Sequence, residues 1–448
     1  MHSLYKPITM VTLIALAPVA TAWSQGSRAI VQDPVVITSS YAMPEYISAS
    51  GDSLLEGYMD EALQESPALK AAFEDWLAAG TLGDQLDRLP DPEIMFSYYL
   101  NPAAYDGVIA QAALGVMQLF PWPGTRAADR QYADVLARAR WEALEGTRIA
   151  LQEQVKRSWF TLLQASRQEG YLAEHLQWVE RLEDVTASRF ENGYASRSDL
   201  LLLEMERLEI TAEIQAARAR FQGAQSDFNA LLGRPSDLEV QLPEGRTDLQ
   251  PDTGLMQAEE TDWTGHPEVL RQTLLGEAGE LAVERARLAG RPMLGVGAEI
   301  MGSNYLMGMT GRVPVVASVR LQLPVWRKPV RARIEQARAE TRSTAHRRDA
   351  VQQRLRSDHA AALSAYGEAH ARVELYRTEL VPRSRELTDL VLLDYSGGRT
   401  DLDQVIASRR RSVTYVIALE TALRDRNIAA TRLNSLFETS STYENLPE

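Results

Sequence analysis

The chain has 448 residues, a formal net charge of -14 at neutral pH and no cysteine. That excludes a disulfide framework and a thiolate metal site, predicts no lipid anchor on an N-terminal cysteine, and argues against nucleic-acid binding, which needs a basic footprint. After the N-terminal segment no apolar run reaches the roughly 20 residues that cross a bilayer as a helix, so a membrane role has to use strands.

Residues 1–22 read as a secretory signal peptide: Lys6 supplies positive charge, residues 8–19 are largely apolar, and Ala20-Thr21-Ala22 is a small-x-small cleavage pattern. Residues 23–50 lack a helical period and read as an extended N-terminal arm. Helix follows over about residues 52–85, with a break at Ser66-Pro67, and Pro90 and Pro92 end it. Residues 93–100 form the first strand candidate, with Ile94, Phe96, Tyr98 and Leu100 on one side. Asn-Pro and Asp-Gly signals predict a turn over 101–107, and 108–119 returns as a second, less regular strand. Tyr98, Tyr99 and Tyr105 suit either an interfacial aromatic girdle or a core.

A hinge, Pro121-Trp122-Pro123-Gly124, opens a helix over about residues 125–190. Leu144, Leu151, Ser158, Ala165, Leu172 and Val179 repeat at seven-residue spacing, beside a second row holding Trp141, Val155, Leu162 and Leu176. Small and interrupted seam positions suit a packed helical array. A helix of that length extends about 100 Å, more than one globular domain holds. The chain turns at Gly193, and a second helix runs over 198–232.

Residues 233–260 are rich in Pro, Gly, Asp and Glu and read as a connector. Helix resumes to residue 288, and residues 291–305 form a third strand with Leu294, Val296, Ala298 and Ile300 on one face. A Gly- and Met-rich turn holds Met301, Met307 and Met309, which could serve as soft copper ligands but read first as loop or packing residues. The fourth strand, 312–323, has a period-two pattern: Val313, Val315, Ala317, Val319, Leu321 and Leu323 oppose Arg312, Ser318, Arg320 and Gln322. Pro324 and Trp326 form a second hinge. An uninterrupted helix is predicted over 330–393, then a turn at Gly398 and a helix over 401–437, leaving 439–448 as a C-terminal tail.

The two halves align as an internal duplication. Pro121 matches Pro324, and Phe190-x-x-Gly193 matches Tyr395-x-x-Gly398. The first structural repeat is 51–232, the equatorial connector 233–260 and the second repeat 261–438. Segment lengths predict that the helix over 198–232 stacks with that over 261–288 beside the first rod. The helix over 401–437 then stacks with the N-terminal one beside the second. Four strands cannot close a barrel alone, and open edges are prohibitively costly in lipid, so several subunits must share one barrel.

These features resemble the outer membrane efflux protein family, the TolC-like outer membrane factors, over nearly the whole chain after the signal. The helix, the strand pair, the run 119–124 (Leu-Phe-Pro-Trp-Pro-Gly) and the two helical-turn motifs carry the likeness. The run 86–93 (Leu-Asp-Arg-Leu-Pro-Asp-Pro-Glu) and the Pro-Trp-Pro-Gly hinge resemble members that serve heavy-metal efflux. The resemblance implies a mixed α and β membrane protein. A homotrimer would give four strands per subunit to a 12-stranded β-barrel, continued by a long periplasmic α-helical barrel with an equatorial belt. It implies an outer-membrane location in a Gram-negative bacterium, no enzymatic activity and no cofactor. A periplasmic adaptor protein and an inner membrane efflux pump, of RND type, would be its partners.

In that family the rod turns form the periplasmic entrance. The resemblance therefore implies adaptor docking at tips holding Gly193, Tyr194, Ser196, Asp199, Gly398 and Thr400. Asp403 matches the first of two entrance aspartates, whereas the second position is Ile406. Asp401 offers an alternative acidic ring, and Arg399 could pair with an acidic neighbour and hold the entrance shut. The residues alone suggest that Gly193 and Gly398 permit tight turns, that Ser198 and Asp401 cap the helices that follow, and that the tips are plain helix hairpins. Pro121, Trp122, Pro123, Gly124, Pro324 and Trp326 are the strand-to-helix hinges. The six histidines make no compact metal pattern; His175 and His266 read as surface or packing residues. A periplasmic coiled-coil scaffold or adhesion protein is the competing reading. A periplasmic enzyme would need a nucleophile–base signature that is not evident.

Overall fold

The computed structural model describes residues 53–105, 108–243, 245, 249, 262–303 and 315–439, all within one compact unit, 37–448. The predicted signal peptide and arm, most of the connector, Arg312, Val313, Met307, Met309 and nearly all of the C-terminal tail lie outside them.

Three helices open the described chain, α1 (Ser53–Glu65), α2 (Pro67–Gly80) and α3 (Leu82–Leu86). Pro67 takes the first turn of α2, where a missing N–H costs nothing, and the Ser66 hydroxyl caps that turn. Strands β1 (Glu93–Tyr105) and β2 (Val108–Phe120) follow. β1 runs on through Asn101 and Pro102 to Tyr105, where the sequence predicts a turn. The β1–β2 ladder shifts register between Tyr98 and Ala103. A bulge is where a sheet accommodates a proline that cannot donate to the ladder.

The rod α4 (Thr125–Glu191) has 67 residues and turns back into α5 (Arg197–Leu231). Its seam is buried as the periodicity predicts, Trp141, Leu144, Val155, Leu162 and Val179 among the most enclosed residues. After the connector come α6 (Pro267–Leu288), β3 (Met293–Ser303), β4 (Val315–Gln322) and α7 (Arg327–Leu375). Met301 lies within β3, opposite Ala113, rather than in a turn. The predicted uninterrupted helix is broken in its hydrogen bonding: a π-helical turn, Tyr376–Leu380, separates α7 from α8 (Val381–Ser396). Pro382 is the physical reason, because it has no N–H and its ring collides with the carbonyl one turn back, a conflict that a wider turn relieves. Helix α9 (Leu402–Phe437) completes the bundle.

The stacking of the shorter helices differs from the length-based expectation. The end of α5 abuts α1, not α6: Phe228 and Leu232 share a core with Leu55, Met59 and Trp159, and Arg234 is ion-paired to Glu61. The end of α9 abuts the start of α6, where Trp263 stacks on Phe437 at 5.4 Å between ring centres. Each repeat thus stacks its own last helix on its own first. The two pairings have nearly equal lengths, so length could not choose between them; buried aromatics at the junctions do.

His266 caps α6, its Nδ1 accepting from the Glu268 amide at 3.2 Å. Burial holds its imidazole below the usual range, with Glu268 opposing and Arg354 and Arg432 reinforcing. The unfolded chain therefore takes up this proton first, near pH 6.5, and stability falls as pH drops below that value. Thermal melts at stepped pH between 7.5 and 5.5 are expected to show this loss, and His266→Asn, which keeps a capping side chain, to flatten it. An unchanged slope would assign the acid sensitivity elsewhere.

The four strands form one antiparallel sheet in the order β1-β2-β3-β4, so among the described residues β1 and β4 are its free edges. Register puts Ile94, Phe96, Leu114, Val116, Leu294, Val296, Ile300, Val315, Val319 and Leu321 on one face, all exposed. The other face carries Glu93, Ser97, Gly115, Gly295, Gly297, Glu299, Ser318, Arg320 and Gln322, with Met95, Met117, Leu119 and Val316 among them. There Arg320 reaches across to Glu93, 3.1 Å away, from one edge strand to the other. A Cβ at Gly295 would stand 3.0 Å from Leu119 and Met117, and one at Gly297 would stand 2.8 Å from the Val116 carbonyl. Glycine there lets Met117 and the ion pair lie across the sheet.

Candidate functional site: the two helical tips

Each long rod ends in a glycine turn. The first tip closes when Gly193, at φ +78°, lets the Tyr194 amide return to the Arg189 carbonyl at 2.7 Å. Helix α5 then starts on a reciprocal cap: the Ser196 hydroxyl accepts from the Asp199 amide at 3.2 Å, and the Asp199 carboxylate accepts from the Ser196 amide at 2.8 Å. The cap is Ser196, not Ser198 as the sequence suggested, because Asp199 stands three residues after 196 and completes the box. Tyr194, 77% exposed, projects from the turn.

The second tip repeats the turn at Gly398, φ +69°, where the Arg399 amide returns to the Asp394 carbonyl at 2.9 Å. The Arg399 guanidinium holds the Asp394 carboxylate of the same hairpin at 2.6 Å, so its acidic partner is local. Thr400 donates to Gln404 at 2.9 Å. Asp401 occupies the cap position of α9 but makes no side-chain capping bond, contrary to expectation; it stays exposed. Asp403 sits in the first turn of α9 and lines, with Leu202, Met205, Glu209 and Arg410, an open groove of about 390 Å³ between α5 and α9.

The tips are held side by side. The Arg189 guanidinium lies 4.6 Å above the Tyr395 ring, and Leu203, Tyr395, Leu402, Val405 and Ile406 share one apolar core. Ile406 is therefore a core residue within this chain. Because no Cβ neighbour crowds Gly193 or Gly398, substitution there costs backbone strain alone. Gly398→Ala is expected to lose about 1 kcal/mol, read as a lower melting temperature. Gly398→Asn should lose less, since asparagine tolerates a left-handed backbone.

Above the tips lies a buried polar cluster that sequence reasoning missed. His175 of α4 faces Glu206 of α5, Nε2 to carboxylate 3.3 Å, both nearly inaccessible. Glu206 is also ion-paired to Arg410 of α9, which holds Glu209 at 2.8 Å as well. Burial pushes the Glu206 carboxyl up, but the close His175 ring and the Arg410 guanidinium outweigh it and the net shift is down. The signal was available: His175 falls between Leu172 and Val179 on the buried side of the rod.

At the other end, Gly124, φ +90°, starts α4 after Pro121-Trp122-Pro123, and Trp326 occupies the corresponding position before α7. Trp122 and Trp326 are both exposed, and Arg291 lies over the Trp122 ring. The 86–93 run works at the same junction. Asp87 pairs with Arg126 and Arg130, and the Pro90 carbonyl accepts from Gln118 at 2.7 Å. Among the described residues no group of three or more His, Cys, Asp or Glu could hold a metal ion.

No protein-family model and no curated relative matches this sequence. Solved structures do. The outer-membrane channel OprN superposes with a TM-score of 0.74 at 16% identity, covering 90% of this chain and 98% of that one. A membrane protein from Pseudomonas aeruginosa gives 0.72 at 20%, over 90% and 98%. CusC, which forms a transmembrane channel, gives 0.71 at 15%, over 88% and 96%. The chain has the fold of these channels: a four-stranded antiparallel sheet continued by a long helical bundle.

Proposed function

We propose that this protein is the outer-membrane channel component of a tripartite efflux system, a homotrimer whose subunits each give four strands to one 12-stranded barrel. The observation that carries this reading is the sheet. Its outer face is apolar and exposed, its inner face holds Gly115, Gly295, Gly297 and all the charges of the sheet, and among the described residues both edges are free. An open edge in lipid leaves backbone groups unsatisfied at several kcal/mol each, so copies must close the ring. Exposed Trp122 and Trp326 at the hinges suit the interfacial belt where strands leave the bilayer. The rods then extend about 100 Å into the periplasm. Solutes pass down the shared lumen without covalent chemistry, driven by an inner membrane pump of RND type and delivered through a periplasmic adaptor at the two tips. Asp401 and Asp403, repeated around the axis, would form acidic rings at the entrance that draw in cations, and metal cations are the cargo that the 86–93 and hinge motifs favour.

The mass of the detergent-extracted oligomer, with conductance in planar bilayers, tests the channel. A monomeric soluble protein without conductance would support the scaffold reading instead. Crosslinking from cysteines placed at Tyr194 and Thr400 to the adaptor tests the docking site; crosslinks confined to the connector would refute it. Asp403→Ala is the matching test of cation preference, read as a change in reversal potential under a salt gradient.

A further inference from the structure

Charge is distributed unevenly along this acidic chain. Over residues 327–356 of α7 stand ten Arg or Lys against three Asp or Glu, whereas residues 53–86, helices α1–α3, hold seven Asp or Glu and one Lys. On α7, Val330 and Thr341 touch Gly290 and Gly279 of α6, with Ala337 and Val351 buried on the same side. Helical spacing then turns Lys328, Arg331, Arg342 and His346 to the opposite side, exposed. On α2, Leu69, Phe73 and Trp76 are buried against α4, so Glu74 and Asp75 face away and are exposed, as is Asp84 of α3. Neither Arg331, Arg342, Glu74 nor Asp84 is ion-paired among the described residues.

We infer that these are the two halves of one seam. The acidic face of α1–α3 docks head-to-tail on the basic face of α7 in the next copy of this chain, and charge selects that pairing. The inference rests on the ring proposed above and deepens it by naming the surface and the code. Three observations support it. First, α3 leads into edge strand β1 and α7 leaves edge strand β4, so joining β1 of one copy to β4 of the next brings these helices together. Second, the heights agree. Asp87 meets Arg126 and Trp76 meets Trp141, so α1–α3 flank the first half of α4 just below its hinge, as the basic stretch of α7 lies just below its own. Third, small residues lie beside the charges, Ala71 and Ala78 on α2 and Ala339 and Ala350 on α7, which lets two helices approach. A lipid surface does not suit the basic stretch, because thirty helical residues extend about 45 Å from the hinge and headgroups reach only its first turns.

A head-to-tail contact closes into a ring only when every copy presents both faces. Charge reversal on one face should therefore break the ring, and reversal on both should restore it. The full chain is expressed as Arg331→Glu with Arg342→Glu, as Glu74→Arg with Asp84→Arg, and as all four together, and the extracted oligomer is followed by native mass spectrometry. Each one-sided pair is expected to speed subunit exchange on the order of tenfold or more, given like charges set opposite one another, and the fourfold variant to recover most of that loss. Recovery also shows that the one-sided variants fold. As an independent measurement, Ala78→Cys with Ala339→Cys in this cysteine-free chain should yield a covalent ring on oxidation. A wild-type oligomer with unaltered exchange in both one-sided variants overturns the seam while leaving the channel intact. A wild type that never oligomerises overturns the channel reading itself. Loss of binding to vesicles of phosphatidylglycerol, with exchange unaltered, would make the basic face a lipid surface and overturn the seam too.

Discussion

In the proposed barrel, Val319→Arg is expected to keep the protein out of the outer-membrane fraction, although Arg320, its neighbour, is native. Val319 is 74% exposed on the apolar face and stands opposite Val296, also exposed. Arginine near the middle of a lipid-facing strand costs about 2–4 kcal/mol, and the proposed symmetric barrel would incur that cost once per subunit. Ser318→Arg places the same side chain on the inner face beside Arg320, where water and Glu93 are available, and should assemble normally. Heat-resistant oligomers in membrane fractions, compared between the two variants, give the readout. Equal loss in both would mean that the faces are wrongly assigned.

That contrast was legible in the sequence. Alternation from Ala317 to Gln322 fixes which residues share a face, because a strand has no other period; Val316 is the apolar exception just before it. The glycine turns were legible for a similar reason: Gly193 and Gly398 end long apolar seams, and both adopt positive φ. Position along a helix or strand is a local property, and local patterns survive in one dimension. Which helix stacks on which is not local. The junctions are decided by Phe228 against Tyr58 and Trp263 against Phe437, contacts between residues far apart in the chain. Pro382 is a different kind of miss. A proline in a helical pattern signals a break in its own right, and the prediction of an unbroken rod passed over it.

The tips divide along the same line. Ser196 and Asp199 make their box at a spacing the sequence displays. The partner of Arg399 is only five residues away, yet a turn had to form before Asp394 came within reach. The His175–Glu206–Arg410 cluster is harder still, drawing one residue from each of three helices. A polar residue on a buried helix face marks one member but does not say who answers it.

That cluster carries the second large effect. Arg410→Ala leaves the Glu206 carboxylate, 4% exposed, with the His175 ring as its remaining close neighbour in the cluster. Removing one member of a buried pair costs about 3–5 kcal/mol; with the arginine half-exposed and the histidine still present, about 2–3 kcal/mol is expected. Replacing both ends with apolar residues, Glu206→Leu with Arg410→Met, should restore most of it, because no buried charge then lacks a partner. Thermal melts of the two single variants and the double variant close the cycle. Acid supplies an independent check. The folded carboxyl lies below its ordinary value near 4.5, so its contribution is complete above that pH and is lost as pH falls through the lower, folded value. Wild-type melts should weaken there and the double variant should weaken less. If the double variant is as damaged as Arg410→Ala, shape rather than charge holds α5 to α9. If it is restored, the pair is an electrostatic tie between α5 and α9, two helical turns from Asp403, which any separation of the tips must first break.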